Sequence, residues 1–267
     1  MPVTSDIDVS DTERPTDTDT DTDSLPINEL FESLQGEGTL TGVPSVFIRT
    51  SGCNLRCWFC DSYHTSWEPT HAWMSIDEIV DRVTDFNATH VVLTGGEPLI
   101  HEQSIDLIKE LSARGYHITV ETNGTIVPPA ETPIDLASVS PKLASSTPTS
   151  DRPPAGGNAA LGEWAEKHDA NRIDIPALST LFDRYETQLK FVVTGDADMG
   201  EITELVDELQ TQTETPIEDT DVLLMPEGQT REELAATRRA VAELALAHGY
   251  RYTPRIHVDL WNDAPET

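Results

Sequence analysis

Cysteine, lysine and arginine are scarce in this chain of 267 residues, and each scarcity excludes something. The cysteines number only three, an odd count, and no apolar signal segment precedes them. That argues against a disulfide-stapled secreted scaffold and places the chain, as an expectation, in the cytoplasm. Lysine and arginine together number 17 against 48 acidic residues, for a net charge of −31. Such a surface has little to offer nucleic acid or anionic lipid. No apolar run approaches the roughly 18 residues of a membrane span. The acid excess fits a protein kept soluble at high salt, where screening shortens the range of self-repulsion. A halophilic source is expected, in which case the acidity reports the solvent and says little about the substrate.

What is present divides the chain in two. Residues 1–25 read as a polar, disordered tail, because Thr16-Asp17-Thr18-Asp19-Thr20-Asp21-Thr22-Asp23 cannot bury a core and repels itself. Residues 26–267 read as one core domain. Apolar, β-branched runs predict strands at 45–50, 90–94, 117–121, 135–140, 188–194 and 221–225. Helices are expected at 75–86, 104–114, 200–210 and 230–248. The first and last of these start on capping-box pairs (Ser75 with Glu78, Thr230 with Glu233), and Gly249 ends the last. Alternating strands and helices imply a parallel sheet with right-handed crossovers. The length is short for an eight-stranded barrel of about 250 residues. The fold class is therefore α/β, a partial, open barrel of the (β/α)6 type. Residues 255–260 are expected to add a final strand. A Pro- and Gly-rich insertion at about 143–171, with one short helix at 161–168, reads as a solvated excursion rather than a lid.

The three cysteines all fall within Cys53-Asn-Leu-Arg-Cys57-Trp-Phe-Cys60. Iron–sulfur cubanes usually take four cysteines, so a set of three leaves one iron open to a small molecule. Zinc is the other reading, since His64 would complete a Cys3His set. Further motifs fall where strands end, which is where parallel α/β folds gather ligands. Thr94-Gly95-Gly96-Glu97-Pro98 follows the second strand, and its glycines let backbone approach a ligand. Glu121-Thr122-Asn123-Gly124 closes the third, Ser140-Pro141-Lys142 closes the fourth, and Gln188-Leu189-Lys190-Phe191 opens the fifth.

The cysteine spacing resembles the cluster loop of radical S-adenosylmethionine (SAM) enzymes. Together with Glu32-Ser33-Leu34-Gln35-Gly36-Glu37-Gly38, Phe47-Ile48-Arg49, Gly52-Cys53-Asn54-Leu55-Arg56-Cys57 and Cys60-Asp61-Ser62, it resembles the 7-carboxy-7-deazaguanine synthase (QueE) family. The match is close over 27–142 and patchy through 188–193 and 254–262. The resemblance implies a [4Fe-4S] cluster on Cys53, Cys57 and Cys60, with SAM on the free iron as the source of a 5′-deoxyadenosyl radical. The implied reaction is that of a carbon–nitrogen lyase: 6-carboxy-5,6,7,8-tetrahydropterin contracts to 7-carboxy-7-deazaguanine with loss of ammonia, in deazapurine tRNA nucleoside synthesis (archaeosine in an archaeon, queuosine elsewhere).

By the same resemblance Leu34, Gln35, Gly36 and Thr94 touch the substrate and Arg49 holds its carboxylate. SAM is lined by Phe59, Cys60, Asp61, Gly96, Ser140, Pro141, Lys142, Gln188, Leu189, Lys190 and Phe191, with Trp58 the alternative aromatic beside the adenine. Mg2+ falls to Ser62, where the family carries threonine; a serine hydroxyl still offers oxygen to a hard cation. An electron donor and a homodimer are implied as partners. His257 and Trp261 receive no role. Two other readings stay open: an activating enzyme that docks a glycyl-radical protein, and a non-catalytic zinc module on Cys53, Cys57, Cys60 and His64.

Overall fold

The structure, a computed structural model, describes residues 7–9, 23–154 and 161–262. In chain order the elements are β1 (Ser24–Leu34), β2 (Pro44–Thr50), α1 (Tyr63–Ser66), β3 (Ala72–Ser75), α2 (Ile76–Thr84), β4 (His90–Gly95), α3 (Gln103–Ala113), β5 (His117–Thr122) and β6 (Leu136–Val139). There follow α4 (Leu161–Asn171), α5 (Ile175–Arg184), β7 (Thr187–Val193), α6 (Asp198–Gln212), β8 (Val222–Pro226), α7 (Arg231–His248), β9 (Arg251–Tyr252) and α8 (Ile256–Trp261). One sheet runs β3-β1-β2-β4-β5-β6-β7-β8-β9. From β2 to β9 every pairing is parallel, whereas β1 pairs antiparallel with both β2 and β3. The edge strands β3 and β9 do not pair with each other, so the barrel stays open.

The six expected strands are β2, β4, β5, β6, β7 and β8. Their alternation explains which face does what. On β7, Leu189, Phe191 and Val193 join the core beneath the helices, packing with Leu178, Leu181 and Phe182 of α5 and Ile202 and Leu205 of α6. Each such buried side chain contributes about 1.5–3 kcal/mol. The intervening Gln188 and Lys190 face inward, because successive side chains of a strand point to opposite faces. The predicted caps form: in α2 the Glu78 amide donates to Ser75 Oγ at 3.3 Å while the Ser75 amide donates to Glu78 Oε2 at 2.8 Å. Thr230 and Glu233 do the same for α7, and Gly249 ends it at φ 78°. Near the start of β4, buried His90 bridges Ser45 Oγ (2.6 Å) and Thr119 Oγ1 (2.8 Å), tying β2 to β5. Burial, with His117 beside it, pushes its pKa down to about 4.

Four expectations change. The ordered chain begins before residue 26: Ser24 and Leu25 open β1 and both are buried. Ile7 also packs against the core, while residues 10–22 of the expected tail lie outside the described residues. β1 escaped a pattern reading because a register shift between Ile27 and Glu29 breaks its alternation. α5 was hidden in the expected irregular region; it starts on Asp174, whose carboxylate accepts from the Ala177 amide at 2.9 Å. Where a strand is expected at 255–260, Ile256–Trp261 form helix α8. The place beside β8 is already taken by β9, and Pro254 cannot donate to a ladder. Within the insertion, α4 matches the helix expected at 161–168, and residues 155–160 lie outside the description. Among the described residues no helix is long and apolar enough to cross a membrane.

With a net charge of −31, self-repulsion opposes this fold at low salt. Raising KCl from ~0.1 M to ~1 M shortens the Debye length from about 10 Å to about 3 Å. Thermal unfolding followed by circular dichroism is expected to shift to higher temperature over that range. A flat melting temperature would show that acidity is not a solvent adaptation.

Candidate active site

A cavity of about 630 Å³ opens at the carboxyl ends of the parallel strands. That volume suits a small ligand together with a cofactor portion. All three cysteines lie on its wall, as do Leu34, Gln35, Gly36 and Arg49.

The loop carrying the cysteines has no regular ladder, and side chains take up its backbone groups instead. Arg56 Nη1 donates to the carbonyls of Cys53 and Leu55, both at 2.7 Å. The indole of Trp67 donates to Cys57 O at 2.9 Å. The Leu55 amide donates to Cys53 Sγ at 3.4 Å, and Ser66 Oγ to Cys60 Sγ at 3.2 Å. Asn54 receives a bond from Asn123 Nδ2 at 2.8 Å and gives one to Thr125 Oγ1 at 2.8 Å.

Glu97 connects this loop to the next two strand ends. Fully buried, its carboxylate accepts from the amides of Leu99 (3.1 Å) and Asn123 (2.7 Å) and from Thr122 Oγ1 (2.9 Å). Its pKa is raised by burial, with these bonds holding it back. Gly95 and Gly96 must be glycine: Gly95 sits at φ 138°, and a Cβ on either would overlap the backbone of Thr50 or Gly52. The Gly-Gly pair thus lets β4 press against the entry to the cysteine loop.

Several of the chain's rare basic residues also line the cavity. Lys190 Nζ donates to Glu37 Oε2 and Glu121 Oε2, each at 2.8 Å. Arg255 donates from Nε to Glu37 Oε1 at 2.8 Å and from Nη2 to Asp61 Oδ2 at 2.5 Å. Burial alone would raise the pKa of Glu37, but Lys190, Arg255 and His257 override it and hold the group ionised far below the carboxylate range. Lys190 is held charged, its two carboxylates outweighing burial. Gln35, also buried, donates to Glu121 Oε1 at 3.4 Å and accepts from the Glu37 amide at 3.2 Å. The His257 ring occupies the space a Cβ on Gly36 would need. Arg49 donates from Nε to Glu29 Oε2 at 2.6 Å and from Nη1 to Ser62 Oγ at 2.8 Å, while Ser62 Oγ donates to Asp61 Oδ1 at 3.3 Å.

Most residues expected at the site meet here. Phe59, Cys60, Asp61, Ser62, Thr94, Gly96, Ser140, Lys142 and Lys190 all line the cavity. Pro141, Gln188, Leu189 and Phe191 do not. Leu189 and Phe191 point to the helix side of β7, and Gln188 is spent on Ser138 Oγ (2.7 Å) and the Thr39 amide (2.8 Å). Trp58 turns from the cavity and donates its indole N–H to Ser145 O at 2.8 Å. The sequence reading passed over Glu29, Glu37, Glu121 and Arg255 as site groups. Glu37 and Glu121 sat inside quoted motifs, but an acidic residue carries little signal in so acidic a chain. His257 does reach the wall; Trp261 does not.

The donor set fits an iron–sulfur cluster better than zinc. A Cys3His zinc site needs four donors about 2.0–2.3 Å from one ion. Among the described residues no three His, Cys, Asp or Glu side chains converge in that way. A cubane spreads its three cysteines over three irons, so three sulfurs along one wall suffice. Burial pushes Cys53 up to about 12 and raises Cys57 and Cys60 as well. The thiols therefore ionise when a metal supplies the positive charge, and loading releases protons.

Residues 47–138 match the model of the Radical SAM superfamily. The chain is 63% identical over 257 residues to the 7-carboxy-7-deazaguanine synthase of Halobacterium salinarum, covering 96% of this chain and 98% of that one. It is 42% identical to the enzyme of the same name from Rhodopirellula baltica, over 92% of this chain and 90% of the relative. The crystal structure of QueE from Escherichia coli superposes with a TM-score of 0.57 at 26% identity, covering 86% of this chain and 93% of that one.

The Lys190 pair yields a stability test. In Lys190→Met, Glu37 and Glu121 keep their burial and lose their shared cation, which costs about 3–5 kcal/mol at pH 7. A carboxylate whose folded pKa is depressed contributes stability above its unfolded value, about 4.3 for Glu, and loses it as pH falls. In the variant Glu37 loses one of the cations that hold its pKa down and takes up a proton more readily, so the deficit narrows between pH 7 and about pH 4. Urea unfolding at both pH values measures it; an equal deficit at both would place the cost elsewhere.

Proposed function

This chain belongs to the 7-carboxy-7-deazaguanine synthase family of radical SAM enzymes, and from that premise we propose how its own residues serve the ring contraction of 6-carboxy-5,6,7,8-tetrahydropterin to 7-carboxy-7-deazaguanine with release of ammonia. The observation that carries the reading is that the three cysteines share one cavity wall system with Leu34, Gln35, Gly36 and Arg49. Cys53, Cys57 and Cys60 would hold the [4Fe-4S] cluster, which with SAM supplies the radical chemistry when bound.

The remaining roles are positional. Arg49 takes the substrate carboxylate: its fork suits that group, and its two bonds to Glu29 and Ser62 engage two of its five N–H donors. Gln35 and Glu121 present an amide and a carboxylate side by side, a donor–acceptor edge for the pterin. Leu34, Gly36 and Thr94 complete that wall. Phe59, Asp61, Gly96, Ser140, Lys142 and Lys190 line the SAM portion; Lys142 Nζ already closes the Ser140 turn by bonds to Ser140 O (2.9 Å) and Oγ (2.6 Å). Ser62 would offer its hydroxyl oxygen to Mg2+. Arg49 donates to that oxygen at 2.8 Å, so a cation held by Ser62 would need the substrate carboxylate to neutralise the arginine. We place the enzyme in the cytoplasm as a homodimer served by a one-electron donor, in deazapurine nucleoside synthesis, on the family resemblance alone. Sedimentation velocity reads the dimer.

Anaerobic incubation with carboxytetrahydropterin, SAM, Mg2+ and reductant is expected to yield 7-carboxy-7-deazaguanine. Omitting Mg2+ lowers turnover, and Ser62→Ala removes that dependence. A full cluster that cleaves SAM but forms no deazaguanine rejects this substrate. Arg49→Ala is expected to raise the apparent KM about ten- to a hundredfold, the equivalent of losing charged hydrogen bonds worth about 1.5–3 kcal/mol. Its iron content stays that of the wild type; an unchanged KM removes Arg49 from carboxylate binding.

A further inference from the structure

The segment between β6 and α5 contributes nothing to the reaction as described beyond Ser140 and Lys142, yet its side chains end on the cysteine loop. His168 on α4 is fully buried. Its Nδ1 accepts the Arg56 amide at 3.1 Å, and its Nε2 lies 2.8 Å from Ser146 Oγ. Ser146 Oγ donates its own hydrogen to Leu143 O at 2.6 Å, so it must accept from His168. The two partners together assign one neutral tautomer, Nε2–H. One turn earlier on the same face of α4, Trp164 lies under the Arg56 guanidinium, 4.1 Å from its ring centroid. Ser146 also accepts the Trp58 amide through its carbonyl at 3.1 Å. The insertion therefore captures the two amides that flank Cys57, one through His168 and one directly.

We propose that His168 is a positioning residue for the cysteine loop: by holding the Arg56 amide it sets the Cys57 side of the cluster and keeps that N–H away from the sulfurs, which keeps the cluster's reduction potential low. The inference rests on reading Cys53, Cys57 and Cys60 as cluster ligands. Hydrogen bonds to sulfur and exposure to solvent both raise the potential of such clusters, because both stabilise the added electron. An amide released from His168 would supply one or the other. The insertion is then a clamp on the cluster loop rather than the solvated excursion its composition suggested.

The test compares His168→Ala, His168→Asn and His168→Gln with wild type in the full-length protein. In Asn the side-chain oxygen sits where Nδ1 did and can take the Arg56 amide; Gln reaches only the Ser146 side. Amide hydrogen exchange on the apoprotein reads the clamp without any cluster. His168→Ala is expected to speed exchange at Arg56 and Trp58 about tenfold, the effect of losing one well-formed hydrogen bond at the upper end of its usual range. After anaerobic reconstitution, a redox titration followed by electron paramagnetic resonance is expected to place its potential above the wild type. Asn restores both readings and Gln restores neither. Wild-type exchange and potential in His168→Ala overturn the inference, as does equal rescue by Gln and Asn, which would leave His168 as filler between α4 and the 144–146 turn. If His168→Ala does not fold, the Asn and Gln variants decide by the same two readings. A wild-type protein that takes up no iron refutes the cluster reading instead, while the exchange comparison still decides the clamp.

Discussion

A loop that must present three sulfurs in one arrangement, and that has no hydrogen-bond ladder of its own, is the constraint on which the rest of this structure turns. Unpaired buried backbone groups are costly, so each must find a partner from elsewhere. Here the partners come from across the chain. Arg56 and Trp67 serve the loop's carbonyls, Asn123 and Thr125 hold Asn54, and the segment after β6 takes the amides of Arg56 and Trp58. Glu97 then joins Asn123 to the Gly95-Gly96 turn. Three strand ends and the insertion thus share one network, and its centre is the cysteine loop.

The second organising element is charge. A chain with 17 basic residues puts Lys142 on the wall of one cavity and spends three more there on ion pairs, Arg49, Lys190 and Arg255. Each is paired with carboxylates, as a buried cation requires. The pairing fixes the side chains before any ligand arrives, which reduces the ordering that binding must impose. It also joins β5, β7 and the loop after β1 to α8, through Glu37 in that loop, Glu121, Lys190 and the Arg255 that precedes α8. The surface acidity and this interior ring are separate matters: one is screened by salt, the other is shielded from it.

The legible parts of the sequence were those with short-range signals. The strands β2 and β4 to β8 announced themselves by β-branched runs, and α2 and α7 by capping boxes. The three cysteines, the Gly95-Gly96 turn and the Leu34-Gln35-Gly36 segment were visible because each is a local pattern. β1 was missed because a bulge breaks its alternation, and residues 255–260 alternate like a strand although β9 already occupies that edge. The resemblance assigns Gln188, Leu189, Lys190 and Phe191 to SAM as one segment, but only Lys190 lines the cavity. Strand geometry turns Leu189 and Phe191 to the opposite face, and Gln188 lies deeper and bonds within the protein.

The chemistry is written in the residues: which atoms can hold a cluster, where the strands end, and which family the motifs resemble. Those depend on residue type and spacing, which the chain carries locally. Which distant groups meet is set by packing. That Glu37 is held ionised by Lys190 and Arg255, that Arg49 shares Ser62 with Asp61, and that His168 caps the Arg56 amide 112 residues away all depend on how the elements pack. A long-range hydrogen bond leaves no periodicity behind, so nothing in the order of residues announces it.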